Sequence, residues 1–284
     1  MIDQLDCAGR VLDLRRAAVM GVLNVTPDSF SDGGVHVGTT KAIDRAAQML
    51  AEGAAIIDVG GESTRPGAAE VSVEAELERV VPVIESLHAR LDVPISVDTS
   101  KPEVMRAAVA AGAGFINDVQ ALCRDGALAA ASELAVPVCL MHMRGEPRTM
   151  QADPRYGDLI GEILGFLSGR IDAARVAGIP RERLVIDPGF GFGKTVAHNL
   201  ELTARLDAFA GLGCPILYGA SRKSTIGSVL DRPVGQRLAG GLALAVLAVE
   251  RGVRIVRTHD VRATFDAIRM TEAVLHGAAP VPVP

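Results

Sequence analysis

The chain has 284 residues, 49% of them hydrophobic and 22% charged, with a formal net charge of −5. That composition suits one large apolar core and excludes a disordered chain. The acidic balance argues against nucleic acid as a partner, since that needs a basic surface to displace counterions, and it leaves room for a local basic pocket.

The cysteines, Cys7, Cys123, Cys139 and Cys214, fall outside CxxC spacing and read as buried, reduced thiols of a cytoplasmic protein. Met1-Ile2-Asp3-Gln4 has no basic or apolar signal-peptide region. The longest apolar run, residues 242–249, is too short to cross a membrane.

In chain order, short apolar strands alternate with helical patterns. A strand at 18–25 precedes a helix at 39–51, with Ile43, Ala46, Ala47 and Leu50 on one face. A strand at 56–59 precedes a helix at 73–91, which repeats Leu77, Val80, Val81, Ile84 and Leu87 at helical spacing. Strands at 95–97 and 115–116 follow, with Pro102 suited to a helix start between them and a helix at 126–134 after them. Strand 138–141 pairs with helix 159–177, strand 184–186 with helix 198–209, and strand 216–218 with a helix opened by Lys223. Helix 236–250 is apolar almost all round and is expected to be buried. Strand 255–256 and helix 261–275 close the series, and the Pro-rich 278–284 reads as a frayed, flexible tail.

Eight strand–helix units with no linker predict one α/β domain over 1–284, a (β/α)₈ TIM barrel. The strands look non-alternating, as when both faces are buried. The alternative, an open doubly wound sheet, calls for a Gly-rich dinucleotide turn after the first strand, and that turn is missing.

A barrel of this kind carries its site at the C-terminal strand ends. Those ends read Asn24, Asp58, Asp98, Asn117, His142, Asp187, Ser221-Arg222-Lys223 and Arg257-Thr258-His259. Arg65, Arg222, Lys223, Arg257 and His259 form a cationic rim suited to a polyanion such as a diphosphate. Asp98, Asp187 and Asn117 suit the amidine-like edge of a heterocycle. Residues 60–67 and 187–194 are glycine-rich and let backbone approach a ligand. Gly-Lys-Thr at 193–195 is one residue short of a P-loop, Ser221 lacks a nucleophile elbow, and no zinc set exists. A hard cation held by substrate phosphates and one protein oxygen is the one metal site the residues suggest.

Eight segments together resemble the dihydropteroate synthase family of folate biosynthesis, in family order and over nearly the whole chain. They are Asn24-Val25-Thr26-Pro27-Asp28-Ser29-Phe30-Ser31-Asp32-Gly33-Gly34, 60–67, Ser96-Val97-Asp98-Thr99, Asn117-Asp118-Val119, Met141-His142-Met143, 187–194, Ser221-Arg222-Lys223-Ser224 and Arg257-Thr258-His259-Asp260-Val261. The first is highly specific. The resemblance implies a transferase that joins 6-hydroxymethyl-7,8-dihydropterin diphosphate to p-aminobenzoate through a pterin-methylene cation and is a sulfonamide target. It implies that Asp98, Asn117, Asp187 and Lys223 hold the pterin. Asn24, Thr64, Arg257 and His259 would hold the diphosphate, with Asn24 lending its oxygen to Mg²⁺. Phe30, Pro66 and Ser221 would border the p-aminobenzoate pocket. The loops 26–38 and 61–71 are expected to settle over bound pterin diphosphate. The apolar excess of helix 236–250 suggests a homodimer, which the family also supports. Two other readings are a corrinoid-dependent methyltransferase on a pterin-binding barrel and a non-catalytic pterin-binding paralogue. Ser221-Arg222-Lys223 with Arg257-Thr258-His259 speaks against the first, and intact Asn24, Asp98, Lys223 and His259 against the second.

Overall fold

The structure, a computed structural model, describes residues 2–26, 34–63, 71–146 and 149–277. An antiparallel hairpin, β1 (Gln4–Cys7) and β2 (Arg10–Asp13), precedes eight parallel strands. These are β3 (Ala18–Asn24), β4 (Ile56–Gly60), β5 (Ile95–Asp98), β6 (Phe115–Asp118), β7 (Val138–Met141), β8 (Leu184–Asp187), β9 (Leu217–Tyr218) and β10 (Ile255–Thr258). Their hydrogen-bonded order is β8-β7-β6-β5-β4-β3-β10-β9. A parallel bridge between Ile186 and Ile216 joins the two ends, so the sheet closes into the expected barrel.

The helices lie outside the ring: α1 (Gly34–Ala51), α2 (Val73–Arg90), α3 (Pro102–Ala110), α4 (Ala127–Leu134), α5 (Leu159–Val176), α6 (Val196–Ala204), α7 (Ser224–Leu230), α8 (Leu238–Glu250) and α9 (Val261–His276). Their starts follow local chemistry. Ser72 accepts the Ala75 amide at the head of α2, Asp158 accepts that of Gly161 at the head of α5, and Pro102 opens α3. α1 starts at Gly34, so the first long loop ends earlier than its composition suggests. The helical pattern at 198–209 divides into α6 and a 3₁₀ turn at Leu206–Leu212.

As expected, the strands do not alternate between buried and exposed residues, because both barrel faces hold apolar residues, in separate clusters. Val19, Ile57, Val97, Ile116, Leu140, Ile186 and Val256 join the layer under the helices. Met20, Ile56, Phe115, Cys139, Val185, Leu217 and Ile255 form an inner floor, and Leu5, Cys7, Leu12 and Leu14 of the hairpin complete it. Ala8 and Gly9 take positive φ in the hairpin turn, and Asp6 accepts the Gly9 amide at 2.7 Å. Two residues beyond the floor, on the same strand face, come Asp58, Asn117, Asp187 and Arg257. One step of the pleat therefore carries four strands from oil to polar chemistry.

α8 is less buried than its composition predicts. Ala245, Ala248 and Val249 face the core, while Leu238 is 44% and Leu247 39% exposed. Cys7, Cys139 and Cys214 are buried thiols as expected, and Cys123 is exposed. Among the described residues no helix is long and apolar enough to cross a membrane.

Candidate active site

The centre of the barrel mouth is Asp58, which is fully buried. Its carboxylate accepts the Ser96 hydroxyl at 2.5 Å, the Asn117 amide at 3.2 Å and the Arg257 Nε–H at 2.6 Å. Arg257 also donates from Nη2 to Asp98 at 2.8 Å. One guanidinium thus joins β10 to β4 and β5, its flat fork matched to two carboxylates. Burial dominates the Asp98 carboxyl and pushes it up to about 7, against the pull of Arg257.

Strand register lines up the rest of the rim. Asn24 lies beside Gly60, Gly60 beside Asp98, and Asp98 beside Asn117. A Cβ on Gly60 would stand 3.7 Å from Asn24 Oδ1 and 3.8 Å from an Asp98 oxygen, so the bare glycine leaves the space between them open. Among the described residues no three His, Cys, Asp or Glu side chains gather as a metal cage. One amide oxygen over open space fits a hard cation whose other ligands are substrate phosphates and water.

On the far wall, Asp187 accepts the Gly189 amide at 2.7 Å, and burial raises its carboxyl against the pull of Lys223. Lys223 donates to the Phe190 carbonyl and lies 4.4 Å from the centroid of the Phe192 ring. Burial lowers Lys223 to about 8, with Asp187 opposing. Its backbone does open α7, as the sequence suggests, yet its ammonium turns inward. A cavity of about 440 Å³ opens beside Asp98, lined among others by Lys101, Gln120, Arg124, Met141 and Met143, a size suited to a small heterocycle.

The cationic rim is only partly realised. Arg222 takes φ +59° and pairs with Asp260 at 2.5 Å, on the outer side. Ser221 and His259 do meet: Ser221 Oγ stands 3.1 Å from His259 Nδ1 and accepts the His259 amide at 3.2 Å. Phe30, Thr64, Arg65 and Pro66 lie outside the described residues, as do most of the two long loops.

Three features escaped the sequence reading. Asp58 stood out only as one strand end among eight, although its two-residue step from Ile56 marks it as inward. Lys101 is buried between Glu62 and the fully buried Glu76, tying the β4 end to α2. Asp118 accepts Ser100, Gln120 and Leu122, holding the turn after β6, where Ala121 and Leu122 take positive φ.

Residues 20–259 match the family model described as pterin binding enzyme. The chain is 53% identical to the dihydropteroate synthase of Escherichia coli strain K12 over 272 residues, covering 96% of each. It is similar in structure to a Xanthomonas albilineans dihydropteroate synthase solved with 4-aminobenzoic acid: TM-score 0.91, 54% identity, 96% of this chain and 98% of that one. The synthase of the same organism in complex with 7,8-dihydropteroate superposes with TM-score 0.88 and 52% identity, over 96% of this chain and 99% of that one. These relatives lend the methyltransferase and non-catalytic readings no support. With a family model matched over residues 20–259 and that identity over 96% of its length, the chain belongs to the pterin-binding enzyme family, among its dihydropteroate synthases.

Proposed function

We infer that this chain condenses 6-hydroxymethyl-7,8-dihydropterin diphosphate with p-aminobenzoate, giving 7,8-dihydropteroate and diphosphate. The observation that carries this reading, beside the family, is a deep polar ring with carboxylates on opposite walls, Asp98 and Asp187, each next to a cation. Asp98 and Asn117 read one edge of the pterin, and Asp187 with Lys223 reads the other. The methylene–oxygen bond breaks with its electron pair leaving on the diphosphate. Asp98, buried and close by, stabilises the positive charge that grows on the pterin-methylene unit. The aniline nitrogen then forms the new carbon–nitrogen bond and loses its proton to solvent.

Around this centre, His259, Thr64 and Arg257 hold the diphosphate, with Arg257 reaching it from its place between Asp58 and Asp98. Phe30, Pro66 and Ser221 border the p-aminobenzoate side. Asn24 would hold Mg²⁺, which when bound neutralises charge on the leaving diphosphate. The active form is a homodimer through α8 and α9, supported by the exposed Val229, Val234, Leu238, Leu247, Met270 and Val274 on neighbouring elements. The cytoplasm suits the four free thiols.

The test is calorimetry with pterin diphosphate followed by a product assay with p-aminobenzoate. Binding with release of dihydropteroate is expected. Binding without product would mean a paralogue that only holds pterin, and no binding would overturn the reading.

A further inference from the structure

The loop 187–194 is pressed between two lysines. Its glycines Gly189, Gly191 and Gly193 have φ +76°, +84° and +61°. A Cβ on Gly189 would collide with the His142 carbonyl, one on Gly193 with that of Arg144, and one on Gly191 with the Lys223 side chain. The loop therefore lies hard against the end of β7 on one side and against Lys223 on the other. Its carbonyls point both ways. Phe190 O receives Lys223, whereas Gly189 O and Phe192 O receive Lys194 at 2.9 and 3.1 Å.

Lys194 is 2% exposed. Its ammonium meets a third acceptor, His142 Nδ1, at 2.9 Å. Three partners match the three hydrogens of an ammonium and hold that form although burial lowers Lys194 to about 7, with Asp187 opposing. His142 must then be neutral, with its proton on Nε2. Burial and the neighbouring Lys194 push the His142 ring down to about 3, in keeping with that. The His142 ring is itself fixed edge-on against Phe166, with centroids 5.1 Å apart. On its far side the loop is tied by Asn199, whose side-chain oxygen accepts the Gly191 amide at 2.7 Å. Nothing in the chemistry of the reaction uses Lys194, yet a buried lysine is costly unless its hydrogens are placed.

We propose that Lys194 is a positioning residue of this site: its ammonium, seated on His142, Gly189 O and Phe192 O, staples the glycine loop to β7 and so fixes Asp187 and Lys223 for the pterin ring. The inference rests on the reading that Asp187 and Lys223 hold pterin. The apparent P-loop remnant Gly-Lys-Thr is explained without any phosphate, because its lysine points inward.

The experiment uses the full chain with Lys194→Met, which keeps length and loses all three donors, and Lys194→Gln, which keeps a donor. Calorimetry below each variant's melting temperature gives affinity for pterin diphosphate. Acetic anhydride labelling of Lys223, read by mass spectrometry, reports whether Phe190 O still holds that amine. Lys194→Met is expected to bind pterin diphosphate about tenfold more weakly, as for one lost hydrogen bond to a charged group, and to label faster at Lys223. Lys194→Gln should recover part of both. A folded Lys194→Met variant with wild-type affinity and wild-type Lys223 labelling would overturn the proposal, whatever its melting temperature. Should Lys194→Met fail to fold, His142→Leu removes one acceptor; about threefold weaker binding and faster Lys223 labelling are expected, and wild-type values overturn the proposal. Failure of the wild-type protein to bind pterin diphosphate would refute the functional reading alone, and Lys223 labelling still decides the staple.

Discussion

Arg257 donates its Nε hydrogen to Asp58 across 2.6 Å, joining residues 199 positions apart. Asp58 also fixes Asn117, so a single carboxylate orients a cation and an amide of the candidate pterin wall. Replacing Asp58 with Asn turns one acceptor oxygen into an NH2 donor that faces other donors, and leaves Arg257 half paired. Asp58→Asn is expected to lose about 3–5 kcal/mol of stability, the cost of breaking a buried pair, and to weaken pterin binding. A urea melt and a pterin titration check both; wild-type values for the pair would show that Asp58 is a bystander.

Asp98 accepts only one of the Arg257 arms and presents its other edge to the mouth. A carboxylate beside a developing cation contributes most in the transition state. Asp98→Asn should keep the fold and much of the pterin affinity while kcat drops by roughly two powers of ten. Turnover near wild type would remove Asp98 from the mechanism.

The pH profile follows from two buried groups. Asp98 has its carboxyl raised to about 7 by burial, so it loses its negative charge as pH falls through that value. Lys223 has its amine lowered to about 8 by burial, so it loses its positive charge as pH rises through that value. Both charged forms serve the reaction, so kcat/KM should be bell-shaped, with limbs near 7 and 8 belonging to the coupled site. For stability the sign is separate. The folded protein holds the Asp98 proton above the usual carboxylate range, so this group makes stability fall as pH rises from about 4 to 7. Asp98→Asn removes that slope, and its melting temperature should gain on the wild type across the same window.

His259 and Arg257 differ in what their loss does to the fold. His259 touches Ser221 at the rim, whereas Arg257 balances two buried acids. His259→Ala should weaken pterin diphosphate by about 1.5–3 kcal/mol and leave the bare hydroxymethyl pterin almost unaffected. Arg257→Ala should show the same ligand preference on top of a clear loss of stability. Equal losses for both ligands would show that neither residue reads the diphosphate.

The exposed leucines of α8 give the assembly test. Wild-type protein should sediment as a dimer at micromolar concentration, and Leu238→Glu should sediment as a monomer, since Leu238 is exposed in the single chain. A wild-type monomer would rule the interface out.

The barrel was legible because each strand is a short apolar run cut by a polar residue, and strand positions read from that pattern fall within two residues of those observed. α7 has only seven residues and showed in the sequence only as the helix Lys223 opens, while the hairpin turns on Ala8-Gly9, a weak turn signal. The polar ring was legible as a set and illegible as a circuit. Ser96 and Asn117 reach Asp58 over 38 and 59 positions, distances at which no local pattern speaks. Arg222 and Lys223 are neighbours with opposite fates because a left-handed φ at Arg222 turns the chain between them. The exposure of α8 could not be read from its composition, which is the same whether a helix of its own chain or another molecule covers it.

The hairpin floor has a bearing on how the protein comes off the ribosome. Leu5, Leu12 and Leu14 are synthesised long before Leu217 and Ile255 of the same cluster. At about 5–20 residues per second, those early leucines spend ten seconds or more without their final neighbours. The barrel can close only after β10 has been made, so these leucines stay without their final cover through most of synthesis. Slowing synthesis ahead of β10 should lengthen that vulnerable interval and increase aggregation.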